Sequence, residues 1–335
     1  MVRVALDAMG GDNAPATEVD GAARALRELP PTFAVDLVGQ PAPIEAELAK
    51  YPDLDRDRLR VVVAPEVIGM ADKPLEAVRK KRKSSLVVGL RLQESGEAHA
   101  FVSAGNTGAI LAASTILLGL HPGVARAAVG TLLPTADGPV LLLDAGANVD
   151  CSARELVGFA YLGSIYMQDI LDRTAPTVGL LNVGEEEGKG TAIVKEAHQL
   201  LKQTPGLNYL GNIEGRDILS GHQKRGRVDV VVADGFVGNV VLKFYESVLD
   251  LVKLLAGREG LWDRPETRRA FRMLDYSQYG GAPLLGVKGN SIICHGSSNA
   301  NAIMHAIRVA VQAVDIQLSS HIGAEFAGHA PAEPA

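Results

Sequence analysis

The sequence predicts an α/β protein, a three-layer α/β/α sandwich built on a mostly parallel sheet. Three observations carry that expectation. Short β-branched runs alternate with helical patterns along the chain, which is how layered α/β folds are written. Several runs are apolar without alternation, as in Val140-Leu141-Leu142-Leu143, and strands covered on both faces read that way. Glycine-rich turns follow the strands and precede the helices.

Taken in order, the strands are expected at Val2–Asp7, Val35–Val38, Leu59–Val63, Ala100–Ser103, Val140–Asp144, Thr177–Asn182, Val228–Asp234 and Ile292–His295. Helical patterns fall at Glu18–Leu29, Pro74–Glu94, Gly108–Leu118, Ala153–Ile170, Thr191–Leu201, Val237–Leu255 and Ala300–Gln317. One catalytic domain is expected over 1–318. Within it, 256–289 reads as an atypical insert rich in Gly, Arg and Pro that faces a dimer partner or a membrane. The tail 319–335 is expected to be disordered.

Composition narrows the function. A net charge of −6 argues against a general nucleic-acid binder. The two cysteines, Cys151 and Cys294, form no Cys-x-x-Cys pair and indicate neither a disulfide framework nor a zinc ribbon. The N-terminus reads as a strand with no signal-peptide pattern, and the apolar stretch Ala109–Leu120 is too short to span a bilayer. A cytoplasmic protein is expected.

In open α/β sheets, ligands bind at the carboxyl ends of the strands. Five such ends combine Gly with Asp, Asn, Ser or Thr. They are Asp7-Ala8-Met9-Gly10-Gly11-Asp12, Ser103-Ala104-Gly105-Asn106-Thr107, Asp144-Ala145-Gly146-Ala147-Asn148-Val149-Asp150, Asp234-Gly235-Phe236-Val237-Gly238-Asn239 and His295-Gly296-Ser297-Ser298-Asn299. Glycine lets the backbone approach a ligand, and free N–H groups at a helix start attract anions. Any one of these turns alone reads equally as a cap.

Nucleotide fingerprints are missing. No Gly-x-Gly-x-x-Gly follows a strand. Gly184–Gly190 resembles a phosphate loop, but it is one residue short between its outer glycines, and Gly190 stands where Ser or Thr should follow the lysine. Lys189 remains a cation in a glycine-rich turn before a helix. No metal is expected: the strand-end aspartates fit capping roles, and no His-Glu-x-x-His occurs.

Further segments share a pattern with these turns: Asp72-x-Pro74-x-x-Ala77-x-Arg79-x-Lys81-x-x-Ser84-Ser85, Asn182-x-Gly184-x-Glu186-x-Gly188-Lys189-Gly190 and Tyr279-Gly280-Gly281-Ala282. In this order the whole set resembles the bacterial phosphate acyltransferases of phospholipid synthesis, over nearly the whole chain. The resemblance implies a fold like the isocitrate and isopropylmalate dehydrogenases and phosphotransacetylase. It implies transfer of a long-chain acyl group from acyl carrier protein to inorganic phosphate, giving acyl phosphate for a membrane-bound glycerol-3-phosphate acyltransferase. It also implies a cytoplasmic homodimer at the inner face of the membrane, with no cofactor.

That chemistry suits the residues. Phosphate is partly dianionic at neutral pH and is already a nucleophile. A thiolate is a fair leaving group. The protein must position two anionic partners and stabilise an oxyanion. Lys189 and Asn239 are the expected catalytic pair. Phosphate and substrate binding is expected from Gly10, Gly11, Ser103, Gly105, Asn106, Thr107, Asn148, Ser297, Ser298 and Asn299. Asp12, Asp144, Asp150 and Asp234 orient the turns, and His295 is a candidate proton donor to the thiolate. Arg79, Lys81, Arg82 and Lys83 are candidates to dock the acidic carrier protein, and Leu261, Trp262, Arg268 and Arg269 to meet a membrane. The rival readings are a phosphotransacetylase using a coenzyme A thioester, a dehydrogenase of the same fold, and a non-enzymatic carrier-binding membrane scaffold.

Overall fold

A computed structural model describes residues 1–258, 260–261, 264–266 and 279–329, apart from the side chain of Leu249. The strands, in chain order, are β1 (Val2–Asp7), β2 (Phe33–Gly39), β3 (Leu59–Val63), β4 (Ala100–Ser103), β5 (Ala128–Leu133), β6 (Val140–Leu143), β7 (Thr177–Leu181), β8 (Asn208–Ile213), β9 (His222–Gln223), β10 (Gly226–Arg227), β11 (Val230–Val232), β12 (Ala282–Leu285) and β13 (Ser291–Ile293). The chain divides into two compact units, Met1–Ala127 with Ser277–Ala335, and Ala128–Tyr276. The boundary passes inside the stretch expected to form one domain.

In the first unit the strand order is β3-β2-β1-β4-β13-β12, all parallel except β12. Strand alternation assigns the two faces. Leu6 and Val102 join a buried cluster with Val19 of the helix Ala16–Glu28 and Ile303 of the helix Ala300–Asp315. Phe101 points the other way, against Gly89 of the helix Ser85–Glu94, where an added Cβ would lie 2.5 Å from the ring. Helices therefore cover both faces. Each fully buried Leu, Val, Ile or Phe contributes about 1.5–3 kcal/mol of apolar burial.

The second unit orders its strands β5-β6-β11-β7-β8, all parallel except β5. The helix Ala153–Leu171 starts in a capping box, with Ser152 and Glu155 exchanging side-chain and backbone bonds. Its Gly163 packs on Val230 so closely that a Cβ would lie 2.5 Å from a valine methyl.

Three expectations change. The helix expected over Pro74–Glu94 is two, Pro74–Lys80 and Ser85–Glu94. Lys81 turns in to Asp72 at 2.5 Å and to the Val67 carbonyl at 2.9 Å, and Ser84 caps the second helix through Val87 N–H. Much of the expected insert, 256–289, lies outside the described residues; its final part belongs to the sheet, because Gly280 and Gly281 adopt φ of +80° and +81° and lead into β12. Residues 319–329 of the tail expected to be disordered lie in the helix Leu318–His329, which buries Leu318, Ile322 and Phe326; 330–335 lie outside the described residues. Those three recur at i, i+4 and i+8, a one-face helical pattern.

Candidate active site

In the first unit, β1, β4 and β13 are neighbours, so their three terminal turns share one edge. Asp7 ends β1 fully buried. Its carboxylate accepts from Ser103 Oγ at 2.7 Å and from Met9 N–H at 3.1 Å. Burial pushes its pKa up, and hydrogen bonds from Ser85, Ser103 and Met9 oppose the rise. Ser103 Oγ also accepts from Gly105 N–H at 3.0 Å. Gly10 and Gly105 meet where no side chain fits: a Cβ on Gly10 would lie 2.7 Å from Gly105 N and 2.9 Å from Asp7 Oδ2. The third turn joins through Asp12 N–H, which donates to the Gly296 carbonyl at 2.8 Å.

Not every expected binding group faces outward. Asn106 caps the helix Thr107–Leu117 through Ala109 N–H at 3.1 Å, and its amide donates to the Met70 and Asp72 carbonyls at 3.0 and 3.2 Å. Asn299 caps Ala302 N–H at 3.0 Å and is itself exposed. Ser297 Oγ and His295 Nδ1 are bonded at 2.7 Å, and both residues are exposed. Thr107 and Asp12 are exposed, and Ser298 is half-buried. Of the expected residues, the exposed side chains at this edge are therefore Asp12, Thr107, His295, Ser297 and Asn299.

The second unit repeats the device. Asp144 follows β6 fully buried and accepts from Val129, Gly146, Ala147 and Asn148 N–H groups and from Asn148 Nδ2, at 2.7–3.1 Å. Such saturation makes a buried carboxylate tolerable. The helix Gly235–Arg258 begins against this turn. Gly235 N–H donates to the Asn148 carbonyl at 2.7 Å, and Asp234 caps Val237 N–H at 2.8 Å. Asn239, exposed, lies over Gly146: a Cβ there would sit 3.3 Å from its Oδ1. Asp144, Asn148, Asp234 and Asn239 thus come together. Asp150 is exposed on the same loop. Cys151 is buried, its pKa is pushed up to about 11, chiefly by burial, and its thiol donates to the Asn148 carbonyl, so it is a poor nucleophile at neutral pH.

Lys189 lies on the turn after β7, which neighbours β11 in the sheet. Asn182 Nδ2 donates to the Lys189 carbonyl and Asn212 Nδ2 to the Glu186 carbonyl, each at 3.1 Å. Gly190 takes φ +91°, and a Cβ there would lie 2.5 Å from Asn182 Oδ1. Glu187 pairs with Lys202 at 2.7 Å. The turn is tied down from several sides, while the Lys189 ammonium is exposed and has no bonded partner among the described residues.

Of the expected docking residues, Arg79, Arg82 and Lys83 are exposed, whereas Lys81 is engaged by Asp72. Leu261 is exposed; Trp262, Arg268 and Arg269 lie outside the described residues. Two residues at the first edge had no site role in the sequence reading, Ser85 and Glu18. Glu18 is 1% exposed, and its pKa is raised to about 7 by burial and by Asp7 and Asp12. The signal for it was an acid placed where the helical period turns inward, beside buried Val19 and Ala22.

Residues 2–321 match a family described as fatty acid synthesis protein. A phosphate acyltransferase of Heliobacterium modesticaldum is 48% identical over 323 residues, covering 93% of this chain and 94% of that protein. One from Nostoc punctiforme is 46% identical over 337 residues, covering 97% and 96%. Among solved structures, a phosphotransacetylase from Streptococcus pyogenes shares the fold with TM-score 0.62 at 18% identity, covering 94% of each chain. A branched-chain phosphotransacylase from Enterococcus faecalis V583 does so with TM-score 0.59 at 15% identity, covering 94% of this chain and 99% of that one. The chain belongs to the fatty acid synthesis protein family and, within it, to the phosphate acyltransferase enzymes.

Proposed function

We propose that this enzyme transfers a long-chain fatty acyl group from acyl carrier protein to inorganic phosphate. The observation that carries the reading is the unengaged Lys189 ammonium, held on an anchored glycine turn at a strand's carboxyl end. A phosphate oxygen attacks the thioester carbonyl; the C–O bond forms, the C–S bond breaks and the carrier thiolate departs. Lys189 and Asn239 stabilise the tetrahedral oxyanion. The Gly10–Asp12, Ser103–Thr107 and His295–Asn299 turns receive phosphate, with the Thr107, Ser297 and Ser298 hydroxyls as donors. His295 protonates the departing thiolate. Cys151 takes no part, because phosphate is itself the nucleophile.

The reading extends to partners. The product feeds a membrane-bound glycerol-3-phosphate acyltransferase. The enzyme works in the cytoplasm as a homodimer and touches the membrane's inner face, with Leu254, Leu255 and Leu261 among its exposed apolar residues. The test is to incubate purified enzyme with long-chain acyl carrier protein and phosphate, then trap acyl phosphate with hydroxylamine. Phosphate-dependent hydroxamate is expected. Product from acyl-coenzyme A alone would establish the phosphotransacetylase alternative, and carrier binding without turnover would establish a scaffold.

A further inference from the structure

Glu18 lies in the first turn of the helix Ala16–Glu28, directly beneath the Gly10–Gly11–Asp12 turn. A Cβ on Gly11 would overlap Glu18 Oε1, so the turn rests on this carboxyl group. The N–H groups of Gly11 and of Glu18 itself favour its ionised form. The other oxygen, Oε2, is buried with no hydrogen-bond partner among the described residues. An unpartnered buried acceptor is costly, and one proton would turn it into a hydroxyl donor.

The groups facing Glu18 are known from each side. Asp7 at the end of β1 and Asp12 on the turn are acidic and push its pKa up after burial itself. Cys294, at the end of β13, is a buried thiol whose own pKa burial and Glu18 push up to about 12. The helix Ala300–Asp315 meets the same helix through the uncharged Ala300 and Ile303 at Gly21. The charges acting on Glu18 are thus negative. Among the described residues no three His, Cys, Asp or Glu side chains are grouped to hold a metal ion.

Resting on the phosphate-binding reading above, we propose that Glu18 is a positioning residue that takes up a proton as phosphate binds to the Gly10–Asp12 turn. An anion arriving over three carboxyl groups meets repulsion that a single proton on Glu18 relieves. Glu18 stands near half-protonation at about pH 7, and the bound anion raises its pKa further. Between the free and the bound pKa, each phosphate that binds brings one proton to Glu18. Above the free value, phosphate affinity falls with pH by at most about tenfold per unit until the bound value is passed.

Phosphate titration calorimetry in two buffers of different ionisation enthalpy tests this. At about pH 7.5, half a unit above neutrality, wild type should take up more protons per phosphate than Glu18→Gln, and phosphate's own ionisation cancels in the difference. In turnover, the rise of KM for phosphate above neutral pH should flatten in Glu18→Gln while kcat keeps its pH profile. Equal proton uptake in the two proteins overturns the proposal. Unaltered protein provides a second measurement: adding phosphate should raise the infrared carbonyl band of a protonated carboxyl group, and an unchanged or weakened band overturns the proposal. If wild type gives no phosphate heat at all, the phosphate-binding reading itself fails, which is a separate result.

Discussion

Asp7 and Asp144 show what one residue can do at a strand end. Both are buried carboxylates: Asp7 accepts from Met9 N–H and Ser103 Oγ, and Asp144 accepts from five donors, four of them on the turn after it and the fifth, Val129 N–H, on β5. Their hydrogen bonds run into the fold and fix the shape of the turns. Lys189 is the opposite case, a charge with its backbone fixed and its ammonium without a partner among the described residues. Lys189→Ala should therefore leave the fold intact and lower kcat by about 100- to 1,000-fold, the effect of removing one oxyanion donor. Steady-state kinetics on protein with an unchanged circular dichroism spectrum checks this, and retained kcat would exclude the oxyanion role.

At the scale of elements, the site depends on helices starting against turns without a gap. Gly238 shows how tight this is, because an added Cβ would overlap the Asp144 carbonyl oxygen. Gly238→Ala should push the start of the helix Gly235–Arg258 off the Asp144 turn and misplace Asn239. The strain expected from one extra methyl in a packed contact is about 1–3 kcal/mol. Lower thermal stability together with lower kcat is the expected pair of readouts. The same helix exposes Phe236 (61%) and Phe244 (68%), two turns apart on one face, so it carries an apolar stripe alongside and beyond Asn239.

At the scale of the whole molecule, the chain is acidic, yet it carries the run Arg79-Lys80-Lys81-Arg82-Lys83. The fold removes Lys81 from that surface by pairing it with Asp72 and leaves Arg79, Arg82 and Lys83 exposed. Exposed cations steer an acidic partner mainly through the on-rate and are screened by salt. Replacing Arg79, Arg82 and Lys83 by Glu should raise KM for acyl carrier protein several-fold at low salt, with the difference shrinking at high salt. KM for phosphate should not move. Kinetics at two ionic strengths decide, and an unchanged KM for the carrier would place docking elsewhere.

The layered fold, most of the parallel strands and the glycine turns were legible from local pattern, because strand periodicity and turn chemistry act over a few residues. β5, β8, β12 and the two-residue strands β9 and β10 were not. β5 and β12 run antiparallel to their neighbours, and short strands with Gly or Pro inside them carry a weak local signal. The break at Lys81–Ser84 depended on Asp72, a partner that sequence spacing does not reveal. The sequence by itself determined that several turns could hold an anion and that Lys189 was the cation among them. Only the tertiary structure decided which polar groups remain outward. Asn106 and Asp144 satisfy backbone groups that folding takes out of water, and Glu18 comes under the Gly10–Asp12 turn because its helix must bury that face against the sheet.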